Sequence, residues 1–238
     1  FFFFYYNYND IEANLHYSYN DMDKVFFFTN GTILKANISR SLLTDVNISF
    51  SDPALTSISG STNGFTKFGF GFERRALLKK KITGMIGFDS YFIFQDKLKN
   101  DHVSFSEYGY ASKYFLGGII PSSGSYRFSF PGLNEDELNV TQFMGMRLGA
   151  QLNLKGKIYL TPHFNIASVG FDNFNEYIDK VFTSKGNWDE NLETSLLVST
   201  GAAISYESIL GPIHFDTSWI NNTDKTRLFF SVGFSLNP

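Results

Sequence analysis

Ile11-Glu12-Ala13-Asn14-Leu15-His16-Tyr17-Ser18-Tyr19-Asn20 decides the fold. In an extended chain Ile11, Ala13, Leu15, Tyr17 and Tyr19 fall on one side, and Glu12, Asn14, His16, Ser18 and Asn20 on the other. Side chains of a strand alternate between its two faces, so this period predicts a strand with one apolar face. The period recurs along the chain. Phe68, Phe70 and Phe72 oppose Gly69, Gly71 and Glu73, and Ile82, Ile86, Phe88, Phe92 and Phe94 share a face with Gly84 and Ser90. Met144, Met146, Leu148, Ala150 and Leu152 oppose Phe143, Gly145, Arg147, Gly149 and Gln151. Ile158 to Ile166, Leu196 to Tyr206 and Ile213 to Trp219 repeat the pattern, and Leu228, Phe230, Val232, Phe234 and Leu236 close it against Phe229, Ser231, Gly233 and Ser235. With residues 1–9 and 32–41 this gives about ten strands. Most have the roughly nine to eleven residues that a tilted strand needs to cross a bilayer.

Composition narrows the class. The 238 residues include 28 Phe and 13 Tyr, yet only 18% are charged, against about 25% in an ordinary globular chain. Mean hydropathy is −0.13, so apolar and polar residues must be finely interleaved. No apolar run approaches the ~18 residues of a helical span. A net charge of −3 gives no footprint for nucleic acid. Absence of Cys removes disulfides, thiolate zinc sites and thiol nucleophiles together. With no initiator Met and no signal peptide, the chain reads as a mature or truncated product.

A soluble sandwich or a small-molecule-binding barrel also alternates. The second face argues against both, because it is often Gly, Ser or Ala, as in Ser199, Gly201, Ala203 and Ser205, where a wet soluble face carries Lys, Glu and Thr. Small residues suit a lumen, with the bulky face toward lipid. Backbone groups cannot stay unpaired in hydrocarbon, so such strands must close into a barrel. Connection lengths agree. Counted back from a periplasmic C-terminus, 208–211, 153–157, 76–81 and 21–31 are short, while 171–192, 96–139 and 43–64 are long, with 221–226 the exception. Short periplasmic turns alternating with long external loops is the outer-membrane pattern. Tyr17, Tyr19, Tyr206 and Trp219 fall near strand ends, where aromatic girdles sit.

Three stretches carry a family resemblance. Tyr19-Asn20-Asp21-Met22-Asp23-Lys24 followed by Phe28-Thr29-Asn30-Gly31 resembles a turn of the surface-antigen superfamily of outer-membrane barrels, which includes the barrel-assembly factor and the two-partner secretion transporters. Tyr114-Phe115-Leu116-Gly117-Gly118 resembles the lead into their long sixth loop, and Leu210-Gly211-Pro212-Ile213 with Asp216 and Phe230 to Phe234 resembles their last hairpin. Phe128 to Phe143, Ile158-Tyr159-Leu160-Thr161-Pro162 and Gly170-Phe171-Asp172 are most similar to barrels fused behind patatin-like phospholipase passengers in Bacteroidetes-like bacteria. Two features depart from the family. The loop tip reads Ser125-Tyr126-Arg127-Phe128, with no Gly after Arg127, and the family barrel has about sixteen strands. The resemblance therefore implies the last ten strands of a larger barrel.

Chemistry is sparse. There is no Gly-x-Ser-x-Gly and no Asp followed by Gly, so a patatin-like hydrolase is absent from this chain. His16, His102, His163 and His214 lack metal-ligand spacing, and three of them lie in predicted strands. Glu135-Asp136-Glu137 reads as a solvated loop run rather than an acid/base or cation site. Asp172, Glu176 and Asp179 lack the regular spacing of a calcium loop. Arg74, Arg75 and Lys79 to Lys81 flank a short turn, where basic side chains snorkel or meet lipid headgroups. Gly69-Phe70-Gly71-Phe72 is strand packing, since no helix start follows it.

The expectation is an all-β, antiparallel transmembrane β-barrel, one outer-membrane barrel domain over residues 1–238, incomplete at its N-terminus. Its role is to anchor, and help export, an N-terminal passenger of the patatin-like acyl hydrolase kind. The alternative is a stand-alone scaffold, pore or subunit of an outer-membrane complex. The chain is not expected to be an enzyme: a lipase or protease built into the barrel needs a Ser/His/Asp cluster facing the membrane edge, and the candidates do not converge. No catalytic, cofactor-binding or metal residues are assigned. Expected partners are outer-membrane lipids and lipopolysaccharide, the barrel-assembly machinery during insertion and other outer-membrane proteins, not nucleic acid. The expected location is the outer membrane of a Gram-negative bacterium. Val232 is expected near the bilayer midplane, residues 96–139 should fold back into the lumen, and the strand of residues 1–9 should not pair with the strand ending at Leu236.

Overall fold

A computed structural model describes residues 3–50, 54, 57–96, 113–118, 127–171, 174–181, 194–209 and 211–233. Nine long strands run in one antiparallel sheet, each hydrogen-bonded to its neighbours in turn: β1 (Phe3–Asn20), β2 (Gly31–Phe50), β4 (Phe65–Lys79), β5 (Ile82–Gln95), β9 (Gln142–Lys155), β10 (Ile158–Gly170), β11 (Thr194–Ser208), β12 (Gly211–Ile220) and β13 (Lys225–Val232). The tenth, β3 (Ile58–Ser61), pairs with β2 beyond the end of β4 and continues its line. Four connections, residues 21–30, 80–81, 156–157 and 209–210, gather at one end, and those of the other set leave the opposite end. The predicted short-turn and long-loop ends are therefore present.

The burial pattern is inside out for a water-soluble protein. Lys67 is 0% exposed, and Gln142, Ser199 and Ser218 are equally buried, while Leu15, Ile204, Leu228 and Phe230 stand open, Phe230 at 69%. The open apolar residues belong to one face of the sheet: Phe68 on β4, Ile86 on β5, Met146 and Leu148 on β9, Phe164 on β10, Phe215 on β12. Lys67, Thr83, Gln151, Asn165, Ser205 and Asp216, at the alternate positions of the same strands, point the other way and are buried. In water such an exterior is an aggregation surface; in lipid it is the favourable one. Tyr17, Tyr19 and Tyr206 are exposed on this exterior near the short-turn end, and Trp219 lies on it near the long-loop end, at the expected girdle levels.

Three boundaries differ from the sequence reading. Residues 3–9 and 11–20 are not two strands but parts of β1, and residues 1 and 2 lie outside the described residues. Residues 43–50, read as loop, belong to β2, and 58–61 form β3. The cause is a bulge: Ile11 pairs with Leu43 but Glu12 with Ser41, so Leu42 is the extra residue and the alternation of β2 changes phase there. Leu42 and Leu43 are consequently both exposed, and a period-two reading stops at the phase change.

β1 and β13 are the two edges of the sheet. All described pairing of β1 is with β2, and all of β13 is with β12; Phe2 and residues 234–236 lie outside the described residues. From Ala13 to Asn20 β1 is exposed on both faces, as an edge strand without a second neighbour is.

Val232 is not at mid-depth. It pairs with Ile213, close to the start of β12 at the short-turn end, whereas Phe230 pairs with Phe215 in the middle of that strand. Phe230→Arg is therefore predicted to lower stability in bilayers by about 2–4 kcal/mol, and Val232→Arg by only about 0–1 kcal/mol, because the charge penalty falls toward the interface. Folding titrations in lipid vesicles read both; equal small losses would contradict a lipid-facing β13.

Candidate functional site in the lumen

Described parts of the long connection between β5 and β9 lie against the inner face of the sheet. They form a small sheet of β6 (Tyr114–Leu116), β7 (Arg127–Phe128) and β8 (Leu138–Val140). Phe128 sits 3.9 Å from Tyr91 and 6.3 Å from Phe143, ring centre to ring centre, and Tyr114 sits 5.5 Å from Tyr91. These rings join Leu116, Leu133 and Val140 to Ile93, Leu197 and Ile220 of the wall in one apolar core. The folding back of this connection is as expected. Ser123, Ser125 and Tyr126 lie outside the described residues.

Local chemistry fixes the small sheet. Gly117 (φ +150°) and Gly118 (φ +74°) take backbone angles that suit glycine, and a Cβ on Gly117 would lie 1.9 Å from the Asn134 carbonyl oxygen. The Gly-Gly of the sequence motif is thus a close approach of two chain segments. Glu137 is not a solvated charge: it pairs with Arg227 of β13, whose Nη2 donates to Glu137 Oε1 at 2.9 Å and whose Nη1 donates to the Gly132 carbonyl at 3.0 Å. Asp136 pairs with Arg127 at 3.0 Å, leaving Glu135 as the exposed member of the run.

Toward the short-turn end the inner face surrounds a cavity of about 340 Å³ whose lining includes Phe27, Arg147, His163, Asn165, His214 and Asp216. His163 Nε2 lies 2.8 Å from Asp216 Oδ2, and Asn165 Nδ2 lies 3.1 Å from His163 Nδ1. Asn165 can only donate through its amide nitrogen, so Nδ1 accepts and Nε2 carries the proton donated to Asp216. Ser218 also donates to Asp216. Ser205 Oγ is 2.7 Å from His214 Nδ1. The Ser, His and Asp residues that lie apart in the sequence meet on the inner face, away from the membrane edge. They are nonetheless wired as two separate pairs, because the carboxylate that would orient His214 as a base is bonded to His163 instead. The arrangement is a satisfied polar network rather than a hydrolytic triad.

Ion pairs line the rest of the inner face. Arg147 meets Asp89 at 2.9 Å, Arg75 meets Glu73 at 2.7 Å, and Lys67 meets Glu12 at 2.7 Å, with Ser39 donating to Glu12 at 2.9 Å. Arg75 therefore belongs partly to the lumen, while Lys79 to Lys81 remain exposed at the turn. His16 is exposed on β1; His102 and Asp172 lie outside the described residues, and Asp179 is exposed on the short helix α1 (Phe174–Lys180). Among the described residues no group of three or more His, Asp or Glu is placed to hold a metal ion.

The motif after β1 is a built turn. Asp21 accepts from the Thr32 N–H, Asp23 accepts from the Thr29 N–H at 2.8 Å and from its hydroxyl, and Asn20 accepts from the Met22 N–H at 3.0 Å. Gly31 (φ +135°) has no room for a Cβ, which would lie 2.6 Å from Met22 Cα. The bond from the Thr32 N–H, helped by the Tyr19 hydroxyl and Arg74, holds the Asp21 carboxyl below its ordinary range. The turn carries Phe27 (φ +49°) inward, where it stacks on Tyr159 at 4.1 Å and 7° and lies 5.9 Å from His214. The sequence reading missed Phe27; the available signal was four apolar residues, Val25 to Phe28, in the longest of the short connections.

No protein-family model matches the chain, and no curated protein does. Among solved structures, the crystal structure of BamA from Haemophilus ducreyi lacking POTRA domains 1–3 superposes with a TM-score of 0.53 at 16% identity over 92% of this chain. The fold is an outer-membrane β-barrel fold. The chain spans 40% of the length of that BamA chain. The likeness is one of fold, and it agrees with the inverted polarity of the sheet and the inward-folded connection.

Two outcomes follow from this geometry. Because Asp21 titrates below its ordinary range in the folded turn, the stability that its bonds give is present above the unfolded carboxyl pKa and is lost as pH falls through the folded one. The Thr32 amide proton, followed by NMR, should titrate with a midpoint below the 3.8 of a free Asp; a midpoint at or above it contradicts the bond. For the latch on β13, a double-mutant cycle of Glu137→Gln and Arg227→Gln should give a coupling of about 1.5–3 kcal/mol, the range for hydrogen bonds to charged groups. A coupling near zero would remove Glu137 as an anchor of the inner sheet.

Proposed function

We propose that the chain is the membrane-embedded barrel of a Gram-negative outer-membrane protein, serving as anchor and translocator for a passenger N-terminal to it. The observation that carries this reading is the combination of a lipid-compatible exterior with a polar inner face into which a long connection folds back. The fold likeness to BamA supports a place among barrels of the insertion and translocation kind. Residues 1–238 act in this reading as one domain whose edges, β1 and β13, are closed by further strands of the same barrel. The passenger is of the patatin-like acyl hydrolase class that the sequence resemblance implies, and the chain itself has no catalytic role. Its surroundings are outer-membrane lipid and lipopolysaccharide, the assembly machinery during insertion and neighbouring outer-membrane proteins.

Two readouts on cells test this. An epitope-tagged reporter placed N-terminal to the whole barrel of the natural protein should become accessible to external protease while the barrel stays folded. A reporter that stays protected behind a folded barrel contradicts translocation and favours the stand-alone scaffold. Single cysteines at Gly156 and at Asp224, in a chain that has no other Cys, fix the orientation. Position 224, at the long-loop end, should react with an impermeant reagent on whole cells, and position 156 should react only after lysis. The reverse pattern inverts the topology.

A further inference from the structure

The connection from β1 to β2 differs from its three companions at the same end. Residues 80–81 and 156–157 are tight turns and two residues separate the paired Ser208 and Gly211, whereas residues 21–30 form a ten-residue excursion. Its two ends are fixed by Asp21, Asp23 and the close-packed Gly31, so its shape is set rather than loose. At its centre a bulky aromatic residue, Phe27, holds a left-handed backbone angle that side chains disfavour. That strain is offset by what the ring gains: it is 8% exposed, lies flat on Tyr159, approaches His214, and the Phe27 carbonyl accepts a hydrogen bond from Gln151. Val25 beside it is 77% exposed, so the turn buries one chosen ring and not its whole apolar run. Tyr159, Gln151 and His214 lie on β10, β9 and β12, so the ring ties the excursion to three staves of the wall at once.

We propose that this turn is a stopper for the lumen, with Phe27 as its anchoring ring. It closes the short-turn side of the cavity that His163, Asp216 and Arg147 line, and lifting it admits small hydrophilic solutes to that cavity. Ser129 and Pro131, from the inward-folded connection, bound the same cavity. The chamber is thus held between two separate elements, and the turn controls entry from its own side. The inference needs only the barrel fold and stands whether or not a passenger exists.

Cysteine accessibility reads it directly, since the chain has none of its own. Ala203 on β11 lines the cavity; Ala203→Cys is labelled with a small charged methanethiosulfonate in the full-length protein, folded in lipid vesicles. Phe27→Gly removes the ring and also suits the left-handed backbone, so the turn keeps its path. It should raise the labelling rate about tenfold or more, the stacked ring being the closure. Tyr159→Ala, which takes away the platform and leaves Phe27, should raise it too, and covers a failure of Phe27→Gly to fold. Lys24→Gly, at an exposed position of the same turn that does not line the cavity, should leave the rate within about twofold. Equal rates in the parent and both ring variants overturn the proposal. So does a parent rate as fast as that of a cysteine at exposed Gly156, because the cavity is then open with Phe27 in place.

Discussion

A strand in hydrocarbon has no water to satisfy its N–H and C=O groups, so each must find a partner strand, and every side chain pointing outward must tolerate lipid. The nine-strand order from β1 to β13 answers the first demand for every strand between its two edges. The second explains why Leu228, Phe230 and Phe215 are open while Lys67, Ser199 and Asp216 are hidden. With the exterior committed to apolar residues, charge and hydroxyl chemistry is concentrated on the inner face, and there each polar group needs a partner. The pairs Lys67–Glu12, Arg147–Asp89 and His163–Asp216 are that requirement met at three depths.

The inner face is filled from both ends by different means. At the long-loop end the β6–β8 sheet uses aromatic packing on Tyr91 and Phe143 and the Glu137–Arg227 pair. At the short-turn end one ring, Phe27, reaches in from a turn. The polar network between them is bounded by these two elements, so the cavity owes its shape to connections as much as to strands. That division gives the connections freedom to specialise while the staves keep a single repetitive pattern.

Alternation made the staves legible because lipid enforces it residue by residue: Met144 to Leu152 and Leu196 to Tyr206 are in the structure as the period assigns them. It failed at Leu42–Leu43, where a bulge shifts the phase, and at Val232, whose depth depends on pairing with Ile213 rather than on its place in a run. The candidate site was less legible. His163 and Asp216 are 53 residues apart and meet through the β10–β11–β12 register, which no local spacing encodes. Glu137 looked solvated because its partner Arg227 is 90 residues away. Phe27 was hidden because a turn gives no periodicity to read. The motif residues Asp21, Asp23 and Gly31 were visible as a family likeness, and their hydrogen bonds and close packing supply its physical reason.

The central claim is that bulky residues face lipid and small or polar ones face the lumen. A nitroxide scan along residues 226–232, one cysteine at a time in vesicles, measures it most directly. Oxygen, which concentrates in lipid, should relax labels at 228, 230 and 232 strongly, and labels at 227, 229 and 231 weakly. A flat profile, or one in the opposite phase, would contradict the account.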